Sequence, residues 1–119
     1  MLPSLETTHL TLRPFLAADL NPLYQIQSDP QAMQYTYRAA TLDEFTAHMQ
    51  AYLNLETMIG YAPWVIVARA TDQLCGWGGL SIDPFAPGWG VEISYYFAQQ
   101  VWGRGYATEL THATLAVWL

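Results

Sequence analysis

Apolar and polar residues change their spacing several times along this chain, and each change marks an element. Thr8-His9-Leu10-Thr11-Leu12-Arg13 alternates and runs into Pro14, which predicts a short strand. Leu20, Leu23, Tyr24 and Gln27 then keep helical spacing. Asp19 stands where an N-cap is expected, Pro22 is tolerated in the first turn, and Asp29-Pro30 ends the helix. Thr41-Leu42-Asp43-Glu44 spells a capping box, and Phe45, Met49, Tyr52 and Leu53 follow on one face. His48 falls off that face and is expected in solvent. Tyr61 to Arg69 is a continuous apolar run, the mark of a strand covered on both sides. Thr71-Asp72-Gln73 makes a hairpin turn into a second strand, Leu74 to Asp83. Gly76, Gly78 and Gly79 thin this strand, as bulges or as a place where a ligand lies close. A rigid loop from Pro84 to Gly88 leads into Val91-Glu92-Ile93-Ser94-Tyr95-Tyr96-Phe97, apolar at every second position, and a last helix runs through Glu109, Leu110, Ala113, Leu115 and Val117. The order is strand, two helices, three strands, helix, an α+β pattern within a single domain, residues 1–119.

Composition narrows what such a domain does. Charged residues make up 12% of the chain, about half the usual ~25%, against a hydrophobic share of 52%. That leaves more apolar surface than one small fold easily covers, and self-association, a homodimer first, is expected. The net charge is −6, carried by ten acids against four arginines and no lysine. Nucleic acid and anionic membranes are poor partners for it, and a cationic substrate is favoured. The single Cys75 excludes an internal disulfide and fits a reducing, cytoplasmic setting. Met1 to Glu6 has neither the basic region nor the apolar run of a signal peptide, and no run of 18 apolar residues is long enough to span a membrane. No metal-type residue is spaced near His9 to form a ligand set, so no metal is expected.

The stretch with chemistry in it lies between the last strand and the last helix. Glycines at such a junction let backbone approach a ligand and leave free N–H groups at the helix N-terminus, an arrangement that binds phosphate. Gly103-Arg104-Gly105-Tyr106-Ala107-Thr108 nearly spells a dinucleotide-binding fingerprint. Thr108 stands where that fingerprint needs a third small residue, and the acid expected about 20 residues further on has no place to be.

The wording VEISYYFAQQVWGRGYATEL resembles the acetyl-CoA signature of the GNAT superfamily of N-acetyltransferases, closest to its branch of ribosomal-protein N-terminal acetyltransferases. The general pattern of Gln or Arg, two residues, Gly, one residue, Gly or Ala falls on Trp102 to Ala107, with Trp102 a departure that matches the branch's usage. A second register, Gln100 to Gly105, fits the same letters. LETTHLTLRPF and DLNPLYQIQSDPQAMQY resemble the branch's opening strand and first helix. The resemblance implies a mixed, mostly antiparallel sheet with helices on both faces. It also implies a further parallel strand, a helix and two more strands, for which this sequence has no counterpart.

The resemblance further implies roles for named residues. The backbone of Tyr96, Phe97 and Ala98 would pair with the coenzyme's pantetheine arm, one free N–H facing the thioester oxygen. Trp102, Gly103, Arg104, Gly105, Tyr106, Ala107 and Thr108 would hold the pyrophosphate, with Arg104 adding charge or simply solvated. The loop holding Tyr35, Tyr37 and Arg38 would lie over the substrate, or be an ordinary surface loop. Glu92 is the only acid inside a predicted strand, so it is either the general base for the amine or a structural residue paired with backbone or with Arg13. Glu109 in the first helical turn complements the helix dipole, and His112 is expected exposed. The family's usual tyrosine general acid has no matching position, since Tyr95 and Tyr96 stand in the wrong element. The functional expectation is transfer of an acetyl group from acetyl-CoA to a primary amine, of a protein N-terminus or a small molecule. The alternative is a non-catalytic acyl-CoA-binding or assembly fragment of the same fold.

Overall fold

The computed structural model describes residues 4–118; Met1 to Pro3 and Leu119, which belong to the expectations for the N-terminus and the last helix, lie outside the described residues. Strands β1 (Leu5–Glu6) and β2 (Leu10–Arg13) form a hairpin. Helices α1 (Leu20–Gln27) and α2 (Leu42–Ile59) follow, then β3 (Trp64–Ala68), β4 (Gln73–Ile82), β5 (Val91–Phe97) and α3 (Tyr106–Trp118). The sheet runs β1-β2-β3-β4-β5, every pair antiparallel. The mixed character expected of the sheet is therefore absent among the described residues, because the only parallel neighbour belonged to the implied further strand.

β3 explains the two-layer packing. All five of its residues are buried. Trp64, Ile66 and Ala68 join Leu10, Leu12, Phe97 and the α3 residues Tyr106, Leu110 and Ala113 in one core. Val65 and Val67 point the other way and join Leu23, Phe45, Met49, Tyr52 and Trp77 beneath α1 and α2. A strand covered on both faces has no room for alternation, which is why its sequence is continuously apolar.

The expected elements are present, and three local expectations are corrected. Asp19 does not cap α1 with its side chain. Its carboxylate instead accepts the Leu16 N–H at 2.8 Å and a two-pronged bond from Arg13 at 2.7 and 2.8 Å. That bidentate geometry suits a guanidinium better than a helix end, and it takes Arg13 away from Glu92. His48 is not a solvent residue; it is half-buried, stacked on Tyr37 at 4.3 Å and Phe85 at 4.9 Å. Gly76 and Gly78 mark neither a bulge of their own nor a ligand. A Cβ at Gly76 would lie 2.3 Å from the Tyr96 carbonyl oxygen and one at Gly78 2.5 Å from that of Ser94, so they are where β5 presses against β4. The bulge falls between Ile66 and Val67, with Cys75 as the extra residue opposite. At the end of α3, Leu115 and Val117 are exposed, and the Trp118 ring packs 5.7 Å from Tyr61 and 6.5 Å from Trp64. Thr41 caps α2 as expected, accepting the Glu44 N–H at 3.0 Å while Glu44 accepts the Ala40 N–H at 2.6 Å.

Candidate active site

The end of β5 and the start of α3 enclose a cleft of about 570 Å³. One wall is Tyr95, Tyr96 and Phe97, the floor is the Trp102 to Thr108 turn, and the far wall is Ala32, Met33, Tyr35 and Thr36 after α1. The turn is shaped by two residues in left-handed conformation, Gly103 at φ 79° and Gly105 at φ 78°. A side chain there is strained by roughly 1–2 kcal/mol whatever the space around it. The Trp102 indole pins the turn to the strand by donating Nε1–H to the Phe97 carbonyl at 3.2 Å. The first bond of α3 runs from the Glu109 N–H to the Gly105 carbonyl at 3.0 Å, so the amides of Tyr106, Ala107 and Thr108 have no partner within the helix.

The strand's own amides divide by alternation. Ala98 N–H donates to the Cys75 carbonyl at 2.9 Å and is spent. In an antiparallel ladder the next residue back faces the other way. Phe97 and Tyr95 therefore present N–H and C=O to the outer edge of β5, where no strand pairs among the described residues. Of the three residues expected to meet a pantetheine arm, Phe97 has the free amide and Ala98 does not. Tyr96 contributes its ring, stacked on Trp77 at 4.7 Å.

The other expected residues distribute unevenly. Trp102, Gly103, Gly105, Ala107 and Thr108 line the cleft, and so does Tyr106, a buried residue whose ring lies 6.3 Å from the Phe97 ring. Arg104 is exposed between the two glycines, outside the lining. Tyr35, 89% exposed, stands at the mouth. Tyr37 and Arg38 do not join it. Arg38 Nε donates to the Ser28 carbonyl at 3.0 Å, and Tyr37 turns into a second cavity beneath α2. Burial, with the Glu44 carboxylate beside it, pushes the Tyr37 phenol up to about 12. Glu92 is exposed on β5, opposite Ser81, on the same face as Ser94 and Tyr96. The Tyr96 phenol is raised, first by burial and then by the charges of Asp83 and Glu92, with the Thr36 hydroxyl opposing.

Some residues at the site were not singled out in the sequence. Ala32, Met33 and Thr36 form the far wall, in the turn and loop that the resemblance put at the acceptor without naming them. Glu109 does more than face a helix dipole: it accepts bonds from the Thr7 hydroxyl, the His9 N–H at 2.8 Å and His9 Nδ1 at 2.7 Å. Burial pushes its pKa up, but these bonds together outweigh burial and hold it below its ordinary value. It thereby ties the β1–β2 turn to the helix whose N-terminus forms the cleft floor. His112 is exposed, beside Thr108 in a shallow hollow adjoining that turn.

A cleft with free amides at a helix start, a second free amide on the adjacent strand and an apolar far wall fits a long ligand carrying phosphates at one end and an extended amide arm at the other. Among the described residues no helix is long and apolar enough to cross a membrane.

Comparison with known proteins agrees with this geometry. Residues 9–119 match the model of the acetyltransferase (GNAT) domain. The chain is similar to the uncharacterized N-acetyltransferase p20 of Bacillus licheniformis, 31% identical over 108 residues, which is 89% of this chain and 60% of the relative. It thus spans about three-fifths of that relative's length. Its fold is similar to an acetyltransferase from Agrobacterium tumefaciens str. C58, with a TM-score of 0.79 and 24% identity over 98% of this chain and 66% of the other. It is also similar to the ribosomal L7/L12 α-N-protein acetyltransferase RimL in complex with coenzyme A, with a TM-score of 0.69 and 19% identity over 97% and 66%. The strand, glycine turn and helix that build the cleft all fall inside the matched residues, and this chain belongs to the GNAT acetyltransferase family.

Proposed function

We propose that this chain is an acetyl-CoA-dependent N-acetyltransferase acting on a primary amine, of a protein N-terminus or a small molecule. One observation carries the reading: the two left-handed glycines and the unpartnered amides of Tyr106, Ala107 and Thr108 open onto the same cleft as the outward amide of Phe97. The structural similarity to RimL, solved with coenzyme A, supports the same placement. Bound acetyl-CoA supplies a thioester whose acyl carbon accepts a neutral amine and releases a thiolate. The protein's part is to hold and polarise. The Gly103 to Thr108 backbone takes the pyrophosphate, with Arg104 adding positive charge. The Phe97 N–H donates to the oxygen on which negative charge develops. Glu92 takes the proton released by the amine, directly or through a water, as C–N forms and C–S breaks. Tyr35, at the mouth of the cleft, borders the acceptor, whereas Tyr37 and Arg38 stand away from that mouth.

Two further proposals attach to this reading. The protein works in the cytoplasm, where a free buried Cys75 stays reduced; burial pushes its thiol up to about 11 and keeps it inert. The outer edge of β5 from Val91 to Tyr95, which no strand covers among the described residues and which leaves the Phe97 amide to the coenzyme, is where two copies pair, and sedimentation at micromolar concentration reads this as a dimer. The deciding experiment is release of free thiol from acetyl-CoA in the presence of amines, beside a calorimetric titration with coenzyme A. Turnover is expected, and Glu92→Gln is expected to lower its rate at least tenfold, about 1.4 kcal/mol, while leaving coenzyme affinity unchanged. Binding without turnover would favour the non-catalytic fragment, and absence of binding would remove the reading altogether.

A further inference from the structure

The second cavity, about 510 Å³, lies on the α2 side of the sheet and is bordered by the same Tyr96 that borders the coenzyme cleft. Its walls are aromatic. His48 is stacked between Tyr37 and Phe85, and its ring lies 5.4 Å from Tyr52. Two carboxylates line the same space, Glu44 from the first turn of α2 and Asp83 from the end of β4. Each is held by one backbone amide, Glu44 by Ala40 at 2.6 Å and Asp83 by Phe85 at 2.8 Å, which fixes its position. Glu92 adds its field, since it raises the phenols of both Tyr52 and Tyr96 after burial has done so.

Among the described residues no cationic side chain neutralises this box. The chain has four arginines and no lysine. Arg13 is paired with Asp19, Arg38 bonds the Ser28 carbonyl, Arg69 bonds the Thr7 carbonyl at 2.7 Å, and Arg104 sits in the glycine turn. His48 does not serve either, because burial lowers its pKa and favours the neutral ring, though Asp83 and Glu44 oppose that. Its Nε2 is buried with no hydrogen-bond partner. Aromatic faces attract a cation by their quadrupole, and fixed carboxylates add charge at a site the protein leaves uncompensated.

We propose that this aromatic and carboxylate box is a cation-recognition site that takes an alkylammonium or quaternary ammonium group of the acceptor, with Tyr96 as the partition between it and the coenzyme cleft. The link to the acceptor rests on the acetyltransferase reading; the cation site stands on the box alone. An acceptor that fits places one positive group in the cavity beside the Tyr37–His48–Phe85 stack, within the field of Glu44 and Asp83, and reaches past Tyr96 with a second, reacting amine.

The test uses the three histidines of the chain as reporters. Tetramethylammonium chloride is titrated into ring-labelled protein and the imidazole signals are followed by NMR, with sodium chloride at equal ionic strength as the reference. The His48 signals are expected to move and saturate while those of His9 and His112 stay. Asp83→Asn and Glu44→Gln keep the oxygens that accept from Phe85 and Ala40, so the fold is expected to hold. Together they should weaken the midpoint about tenfold. His48 signals that do not move, that move equally with sodium chloride, or that saturate at the same concentration in the double variant would overturn the proposal. A parallel titration with coenzyme A separates the two claims: coenzyme binding without ammonium binding sinks this inference alone, and the converse sinks the acetyltransferase reading while leaving a cation site.

Discussion

Replacing Gly105 separates conformation from charge in the glycine turn, because the structure gives each a different signature. Gly105 has φ 78°, and a Cβ built there meets nothing within 4 Å. Gly105→Ala therefore creates no clash and costs only the left-handed conformation, roughly 1–2 kcal/mol. Gly105→Asn should cost less, since asparagine tolerates that region better than alanine. Gly105→Glu carries the strain of alanine plus a negative charge in the place proposed for the pyrophosphate. A carboxylate roughly 5 Å from one phosphate charge is repelled by about 1–3 kcal/mol for effective dielectric constants between ~80 and ~20. That is about 5- to 150-fold in affinity.

Guanidinium unfolding and calorimetry with coenzyme A read the two parts independently. The stability order expected is glycine, then asparagine, then alanine and glutamate together. The affinity order expected is glycine and asparagine close together, alanine slightly weaker, and glutamate weakest by a wide margin. The margin should shrink in high salt, because the charge is exposed and screened. Glutamate and alanine variants with equal affinity would refute the pyrophosphate assignment. An alanine variant as stable as the parent would refute the conformational premise.

Two more outcomes follow from packing and charge. Gly78→Ala places a Cβ 2.5 Å from the Ser94 carbonyl oxygen and 2.7 Å from the Tyr95 Cα, so it should cost about 1–3 kcal/mol and weaken coenzyme binding by shifting β5; Gly88→Ala, which meets nothing within 4 Å, is the neutral control in the same denaturation series. Glu109 has a folded pKa below its unfolded one, so its stabilisation is present above the unfolded pKa and lost as pH falls through the folded pKa. Glu109→Gln should lower the urea midpoint at pH 7 by the equivalent of about 0.5–1.5 kcal/mol and flatten the acid limb only in part, because Asp19 is depressed in the same direction by Arg13 and the Leu16 amide against its own burial. An acid limb unchanged by the substitution would remove the Thr7 and His9 bonds from the list of what holds β1–β2 to α3.

What could be read in the letters was whatever depends on local spacing. The strand at 64–68 announces itself by the unbroken apolar run from Tyr61 to Arg69, the α2 start by its capping box, and the glycine turn by its position between a period-two strand and a helix. What failed depended on partners far along the chain. Asp19 sits where a cap should sit, but a guanidinium six residues back offers two bonds where a helix end offers one. Glu109 is about a hundred residues from Thr7 and His9, and no spacing rule joins them. His48 was legible in principle: Glu44, His48 and Tyr52 are spaced i, i+4, i+8, a second stripe beside the apolar Phe45 and Met49. Its true setting needed Phe85, which arrives only when the β4–β5 loop folds back over the helix.

The geometry of the site reduces to the register of β5. Phe97 is anchored in the α3 core and Tyr96 is stacked on Trp77 in the α1–α2 core, so the strand is held from both faces at adjacent residues. Slipping β5 by one residue would exchange those faces. The Phe97 amide would turn toward β4, Glu92 would move to the α3 side, and Tyr96 would cease to divide the two cavities. Only glycine at 76 and 78 lets β5 approach closely enough to fix the pairing, since any side chain there would meet the Tyr96 or Ser94 carbonyl. The glycines of β4 thus govern the coenzyme cleft without lining it, and those of the following turn govern it directly. A substitution in the first pair should disturb stability and both cavities together, whereas one in the second pair should disturb the coenzyme cleft and leave the ammonium box intact.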